Sequence, residues 1–185
     1  MDKIRILVAD DHTLFRKGLH SLLEHLPGME VVGEAATGPE AVTLAEELVP
    51  DVVLMDIKMP SLSGIEATKQ ILQENPHVGI ILVTMFDDAE SVFSGMRAGA
   101  RGYVLKGAEP QDLIHAIEAA YRGEILLSPA IAGKLLHRFD PAGGVSQAGI
   151  PYEALTAREL EVLRLAAEGM NNKKSRRRWR SARRR

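Results

Sequence analysis

Five residues of this chain belong to types that handle phosphate and metal ions, and each follows a short apolar run. Asp10 and Asp11 come after Ile4 to Ala9, Asp56 after Val52 to Met55, Thr84 after Gly79 to Val83, and Lys106 after Gly102 to Leu105. Three carboxylates brought together repel, and one is driven to protonate unless a cation joins them. A hard, oxygen-liganded ion such as Mg²⁺ resolves that conflict and leaves coordination positions open for phosphate oxygens. With such an ion in place, Asp56 can act as a nucleophile and take a phosphoryl group as an acyl phosphate. Lys106 and the metal then offset charge on the transferring oxygens, and the Thr84 hydroxyl donates to one of them. Drawing Thr84 inward moves the loop and helix behind it, and Tyr103, on the neighbouring strand, can rotate into the vacated space.

Taken singly, these residues have plainer readings. An acid pair is commonly a solvated turn or a helix cap, a lone lysine sits on the surface, and Tyr103 alone is a half-buried strand aromatic. His12 invites a reading as a metal ligand or phosphotransfer residue, but its position at the entrance to a helix favours a polar surface role, and Met55 and Met59 read as packing residues instead of a cofactor box. The joint placement at successive strand ends carries the functional reading, because open α/β sheets gather their functional groups there.

That placement needs a particular scaffold. The runs Ile4 to Ala9, Glu30 to Gly33, Val52 to Met55, Gly79 to Val83 and Gly102 to Leu105 are short and apolar, as buried parallel strands are. Helical spacing separates them, as in Leu14, Phe15, Leu19, Leu22 and Leu23, in Ala41, Val42, Ala45, Leu48 and Val49, and in Leu113, Ile114, Ile117, Ala120 and Tyr121. Ser63 to Glu66 and Asp87 to Glu90 have the spacing of capped helix starts, and Pro110 suits a first turn. Five β/α units imply an open, doubly wound parallel sheet with helices on both faces. The fourth helix, near residues 88–98, reads as the weakest, since Gly95 inside it costs about 1 kcal/mol relative to alanine.

Composition narrows the classes further. The 185 residues contain no cysteine, which excludes disulfides, thiolate metal sites and cysteine nucleophiles. No apolar stretch approaches the length of a membrane span, so a cytoplasmic protein without membrane contact is expected. The net charge of −2 conceals an asymmetry: residues 1–170 carry 14 Lys/Arg against 25 Asp/Glu, while residues 171–185 carry 9 Lys/Arg and no acid. A flavin or nucleotide binder on the same scaffold would present glycines and hydroxyls in the first strand–helix loop, whereas Asp10-Asp11-His12-Thr13 repels phosphate unless a metal intervenes. An aspartyl-phosphate hydrolase needs a further acid near its nucleophile, and the residue two after Asp56 is Lys58.

The segments Val8 to His12, Leu54 to Pro60, Ile81 to Thr84 and Ala98 to Gly107, in this order and spacing, closely resemble a bacterial two-component response regulator of the NarL/FixJ class. The resemblance implies a CheY-like receiver over residues 1–122 with a flavodoxin-like sheet of strand order 2-1-3-4-5. It implies that Asp11 ligates Mg²⁺ directly, that Asp10 acts through water, and that the main-chain carbonyl of Lys58 completes the protein ligands beside Asp56. It further implies a histidine kinase as phosphodonor and slow self-dephosphorylation with no other enzymatic activity; a homodimer on phosphorylation is compatible with it, but the sequence does not decide the oligomeric state.

Beyond Glu124 the pattern loosens, apart from an apolar segment around Ile131 to Leu136, and residues 123–152 have linker composition. Thr156 to Glu159 then forms a capping box, and Leu155 to Lys173 is similar to the opening of a LuxR-type helix-turn-helix, assigned here to residues 153–173. The likeness stops before a recognition helix, so the DNA-binding residues are unknown and specific promoter binding is expected to be impaired. Residues 174–185 are Arg-rich, are expected to be disordered, and suit a shifted reading frame after Lys173. A stand-alone phospho-signalling module acting through protein contacts is the alternative to a transcription regulator.

Overall fold

A computed structural model describes residues 3–85, 88–129, 131–133 and 135. The helix-turn-helix segment and the Arg-rich tail lie outside the described residues. Six parallel strands form one sheet: β1 (Ile4–Ala9), β2 (Met29–Ala35), β3 (Val52–Met55), β4 (Gly79–Thr84), β5 (Gly102–Leu105) and β6 (Leu126–Leu127). Their spatial order is β2-β1-β3-β4-β5-β6, which contains the expected 2-1-3-4-5 and adds a short strand at the β5 edge. Five helices alternate with the strands: α1 (Thr13–Glu24), α2 (Gly38–Leu48), α3 (Gly64–Glu74), α4 (Ala89–Arg97) and α5 (Pro110–Tyr121).

Strand periodicity divides the core in two. In β1, β3 and β4 the residues Leu7, Ala9, Val53, Met55, Ile80 and Leu82 face α2, α3 and α4, meeting Ala41, Ala45, Ala67, Ile71 and Val92. The alternate residues Ile6, Val8, Val52, Leu54, Ile81 and Val83 face α1 and α5, meeting Leu19, Leu23, Leu113 and Ile117. Both faces are covered, so these strands read as continuous apolar runs instead of alternating ones. Among the described residues, no helix is long and apolar enough to cross a membrane.

Helix starts follow local chemistry. Ser63 and Glu66 form the expected capping box: the Ser63 hydroxyl accepts from the Glu66 N–H at 3.3 Å, and the Glu66 carboxylate accepts from the Ser63 N–H at 3.2 Å. Pro110 occupies the first turn of α5. At α4 the cap is one residue later than the spacing implied: Asp88 accepts from the Ser91 N–H at 2.8 Å. Ser91 offers both its N–H and its hydroxyl to the Asp88 carboxylate, which fixes the cap at Asp88. Gly95 serves a packing purpose, since a Cβ there would stand 2.2 Å from Leu82 Cδ1 on β4. The glycine lets α4 lie close to the sheet, offsetting its poor helix propensity.

Order extends past residue 122, into the stretch that reads as linker. β6 pairs with β5 through Gly102–Leu126 and Tyr103–Leu127, and residues 129, 131–133 and 135 are helical. The Ser128 hydroxyl accepts from the Ile131 N–H, and Ile131 and Leu135 are buried against the α2–α4 side of the core. β6 covers an edge that would otherwise expose unpaired backbone groups.

Candidate phosphoryl-acceptor site

Each site residue stands where a strand ends but the hydrogen-bond ladder continues. The Asp10 N–H still donates to Ala35 at the end of β2, the Asp56 N–H to Ala9 of β1, and the Lys106 N–H to Thr84 of β4, at 2.8–3.0 Å. Backbone positions are therefore held by neighbouring strands while the side chains project beyond the sheet. Gly64 adds a constraint from the other side. A Cβ there would fall 1.9 Å from the Asp56 carbonyl oxygen, so only glycine lets the first turn of α3 pass so close to the Asp56 backbone.

Asp10 and Asp56 are almost fully buried, as is Thr84. The Lys106 ammonium lies 2.7 Å from Asp10 Oδ2 and 2.7 Å from Asp56 Oδ2, so one cation bridges both carboxylates. Phe15 of α1 supports it from below, with its ring centre 4.8 Å from Lys106 Nζ. Burial pushes the Asp56 carboxyl above its ordinary range; Lys106 pulls the other way without cancelling the rise, and Asp10 adds to it. Burial alone would depress the Lys106 ammonium, but its bonds to Asp10 and Asp56 outweigh that and hold it above its ordinary value. The Lys58 N–H approaches Asp56 Oδ1 at 3.4 Å from the exposed loop after β3.

One donor atom from each of Asp10, Asp11, His12 and Asp56 lies within 4.8 Å of the others. The donor set fits a hard divalent cation: three carboxylates converge at an opening, with the Lys106 ammonium bridging two of them and the His12 ring beside them. The acid cluster can thus hold a metal beside a buried carboxylate that is already partnered by an ammonium.

The protein family model for the response regulator receiver domain matches residues 6–118. The chain belongs to the response regulators. The transcriptional regulatory protein LiaR of Bacillus subtilis (strain 168) is 47% identical over 170 residues, covering 92% of this chain and 79% of that protein. A crystal structure of a LuxR-family two-component response regulator from Aurantimonas sp. SI85-9A1 superposes with a TM-score of 0.69 at 40% identity, covering 72% of this chain and 96% of the other. The signal receiver domain of the putative response regulator NarL from Mycobacterium tuberculosis gives 0.65 at 30% identity, covering 67% and 100%. Together these matches make the chain a regulator of the NarL/FixJ type built on a flavodoxin-like receiver fold.

Of the residues singled out in the sequence of this response regulator, Asp10, Asp11, Asp56 and Lys106 come together directly. Thr84 ends β4 next to Lys106, with which it shares a backbone hydrogen bond. Tyr103 is 2% exposed, packed on the α2–α4 side of the sheet and more deeply buried than a half-exposed strand aromatic. His12 is exposed, in line with its reading as a polar surface residue. Its ring is 66% exposed, yet Nδ1 points into the acids, 2.7 Å from Asp11 Oδ1, 3.3 Å from Asp10 Oδ1 and 3.9 Å from Asp56 Oδ2. Direct adjacency to two acids was the signal in the sequence.

Proposed function

We propose that this response regulator accepts a phosphoryl group on Asp56 from a histidine kinase, in a reaction that depends on Mg²⁺. The observation that carries this reading is the buried Asp56 carboxylate, bridged to Asp10 by Lys106 and flanked by Asp11 at the open side. One Asp56 oxygen attacks phosphorus, the bond from phosphorus to the kinase imidazole nitrogen breaks, and the electron pair leaves with that imidazole. Asp10, Asp11, Asp56 and the Lys58 carbonyl would hold the Mg²⁺, which neutralises charge on the phosphoryl oxygens. Lys106 is positioned to turn from the carboxylate pair toward the new phosphoryl oxygens, and Thr84 to donate to another.

Burial of Thr84 and Tyr103 on adjoining strands supports a readout through the β4–α4 region. Withdrawal of Thr84 toward the phosphoryl group changes the surface presented by α4 and β5, which favours a homodimer. In this reading, phosphorylation governs the chain's part in transcription regulation, and the chain acts in the cytoplasm. Catalysis is confined to acquiring the phosphoryl group and slowly losing it.

Incubation with Mg²⁺ and acetyl phosphate tests the site. Intact-mass analysis should show one phosphoryl group on the wild-type chain and none on Asp56→Ala. Equal labelling of both chains overturns the assignment, as does labelling that persists in excess EDTA.

A further inference from the structure

The turn that carries Asp10 and Asp11 is short: β1 ends at Ala9 and α1 begins at Thr13, so Asp10, Asp11 and His12 alone make the connection. Arg16 reaches back across it from the first turn of α1, where its own N–H donates to the His12 carbonyl at 3.0 Å. Its Nη1 donates to the Asp10 main-chain carbonyl, and its Nε donates to Glu34 Oε2 at 3.2 Å. Glu34 is paired in register with Val8 of β1 and is held in turn by Lys17 and His20. One mostly buried guanidinium therefore braces the Asp10 carbonyl against β2.

A trans peptide is planar, so the Asp10 C=O and the Asp11 N–H point in opposite directions and turn together. Fixing the carbonyl sets the direction in which Asp11 leaves the strand end. Asp11 depends on this more than its neighbours do: its side chain is 34% exposed, against 2% for Asp10 and 4% for Asp56, so burial does not confine it. We infer that Arg16 is a positioning residue for the cation site: by anchoring the Asp10–Asp11 peptide to Glu34, it preorganises Asp11 to bind Mg²⁺. This inference rests on the proposed metal site. A purely electrostatic Arg16 would have the opposite effect, because its charge opposes an incoming cation and removing it would tighten Mg²⁺ binding. A purely structural Arg16 would tie α1 to β2, and its loss would lower stability while leaving the Mg²⁺ affinity of the folded chain unchanged.

The Mg²⁺ dependence of phosphorylation by acetyl phosphate, measured on the full chain, separates these cases. Arg16→Gln should raise the half-saturating Mg²⁺ concentration about tenfold, the scale of effect expected when an outer partner of a metal ligand is lost. The rate at saturating Mg²⁺ should stay close to wild type, because the bound ion then imposes the geometry itself. Calorimetric titration with Mg²⁺ should show the same shift without a phosphodonor. Arg16→Lys keeps the charge but not the fork that serves carboxylate and carbonyl together, and should also weaken Mg²⁺. Lys17→Ala removes another cation from Glu34 without touching the Asp10 carbonyl bond, and should leave Mg²⁺ affinity unchanged. Circular dichroism checks that the fold is retained; Glu34→Gln, which frees the far end of the brace while keeping Arg16, should shift Mg²⁺ in the same direction and gives the reading if Arg16→Gln does not fold. Unchanged or tighter Mg²⁺ binding in the folded variants of Arg16, or an equal loss in Lys17→Ala, overturns the inference. Asp11→Asn tests the parent reading independently: if it leaves Mg²⁺ affinity intact, the metal site itself is misassigned, whatever Arg16 does.

Discussion

Two charge clusters flank α1, and they are balanced in opposite senses. At the strand ends, Asp10 and Asp56 share the Lys106 ammonium with Asp11 beside them, and burial leaves the Asp56 carboxyl raised. A short way along the same helix, Arg16, Lys17 and His20 surround the single carboxylate of Glu34 on β2, at 3.2, 3.1 and 2.7 Å. Burial would raise Glu34 too, but hydrogen bonds from His20, Lys17 and Arg16 outweigh it and hold this carboxyl below its ordinary range. Burial therefore does not by itself make a carboxylate reactive. In the proposed function Asp56 takes up the incoming cation and phosphoryl group, whereas Arg16, Lys17 and His20 close the Glu34 cluster on itself and tie α1 to β2. Arg16 links the two clusters, because its guanidinium also donates to the Asp10 carbonyl.

Lys106→Ala strikes the acid-rich cluster hardest. It removes the ammonium that bridges Asp10 and Asp56. The rate of phosphorylation by acetyl phosphate at saturating Mg²⁺ should fall about a hundredfold, the usual cost of one electrostatic donor to a transition state. Retention of the wild-type rate would place the transition-state charge elsewhere. Without Mg²⁺ the same variant should melt earlier than wild type, because two buried carboxylates lose their shared partner.

The opposite shifts of the two carboxylates predict opposite responses to neutralisation. Glu34→Gln should destabilise the protein by about 1–2 kcal/mol at pH 7, since charge-assisted hydrogen bonds are lost. Because the folded carboxyl is depressed, its contribution is present above the unfolded value of about 4.3 and disappears as pH falls through the folded one. The gap between wild type and variant in urea melts should therefore close in acid. Asp56→Asn should do the reverse in metal-free buffer. A raised folded value means stability is lost as pH rises through it, so the variant should have the higher Tm at pH 7, and the difference should vanish below about pH 3.9. A lower Tm for Asp56→Asn at pH 7 would show that Lys106 already satisfies the carboxylate.

Much of this architecture could be read along the chain, for physical reasons. The five long strands are covered on both faces, so their residues form unbroken apolar runs, and the polar residue that ends each run marks the functional edge of the sheet. Asp10, Asp56, Thr84 and Lys106 were legible in that way. β6 was not, because two residues, Leu126 and Leu127, carry no periodicity, although Ser128-Pro129 is a capped helix start that could have flagged the order beyond α5. Gly95 looked like a weakness because propensity is local, whereas its reason is the Leu82 side chain of another element. The Glu34 cluster also escaped notice: its partners lie 14 to 18 residues away and meet only after β2 pairs with β1. His12 was adjacent to the acids all along, but the direction of its ring is a tertiary fact.

The mildest substitution tests whether the surplus around Glu34 is shared equally. Lys17 reaches Glu34 Oε1 at 3.1 Å, yet its side chain is 65% exposed, against 13% for Arg16. An exposed ammonium is screened by water and salt and loses side-chain entropy when held, so Lys17→Ala should cost no more than about 0.5 kcal/mol. Arg16→Ala should cost more, because it also abandons the Asp10 carbonyl and removes a long side chain that is mostly buried. Urea melts at low and high salt separate the two: the small Lys17 effect should fade as salt rises, while the Arg16 effect persists. If the two substitutions are equal and equally sensitive to salt, the basic cluster is only a solvated face, and the contrast with the acid-rich site loses its structural half.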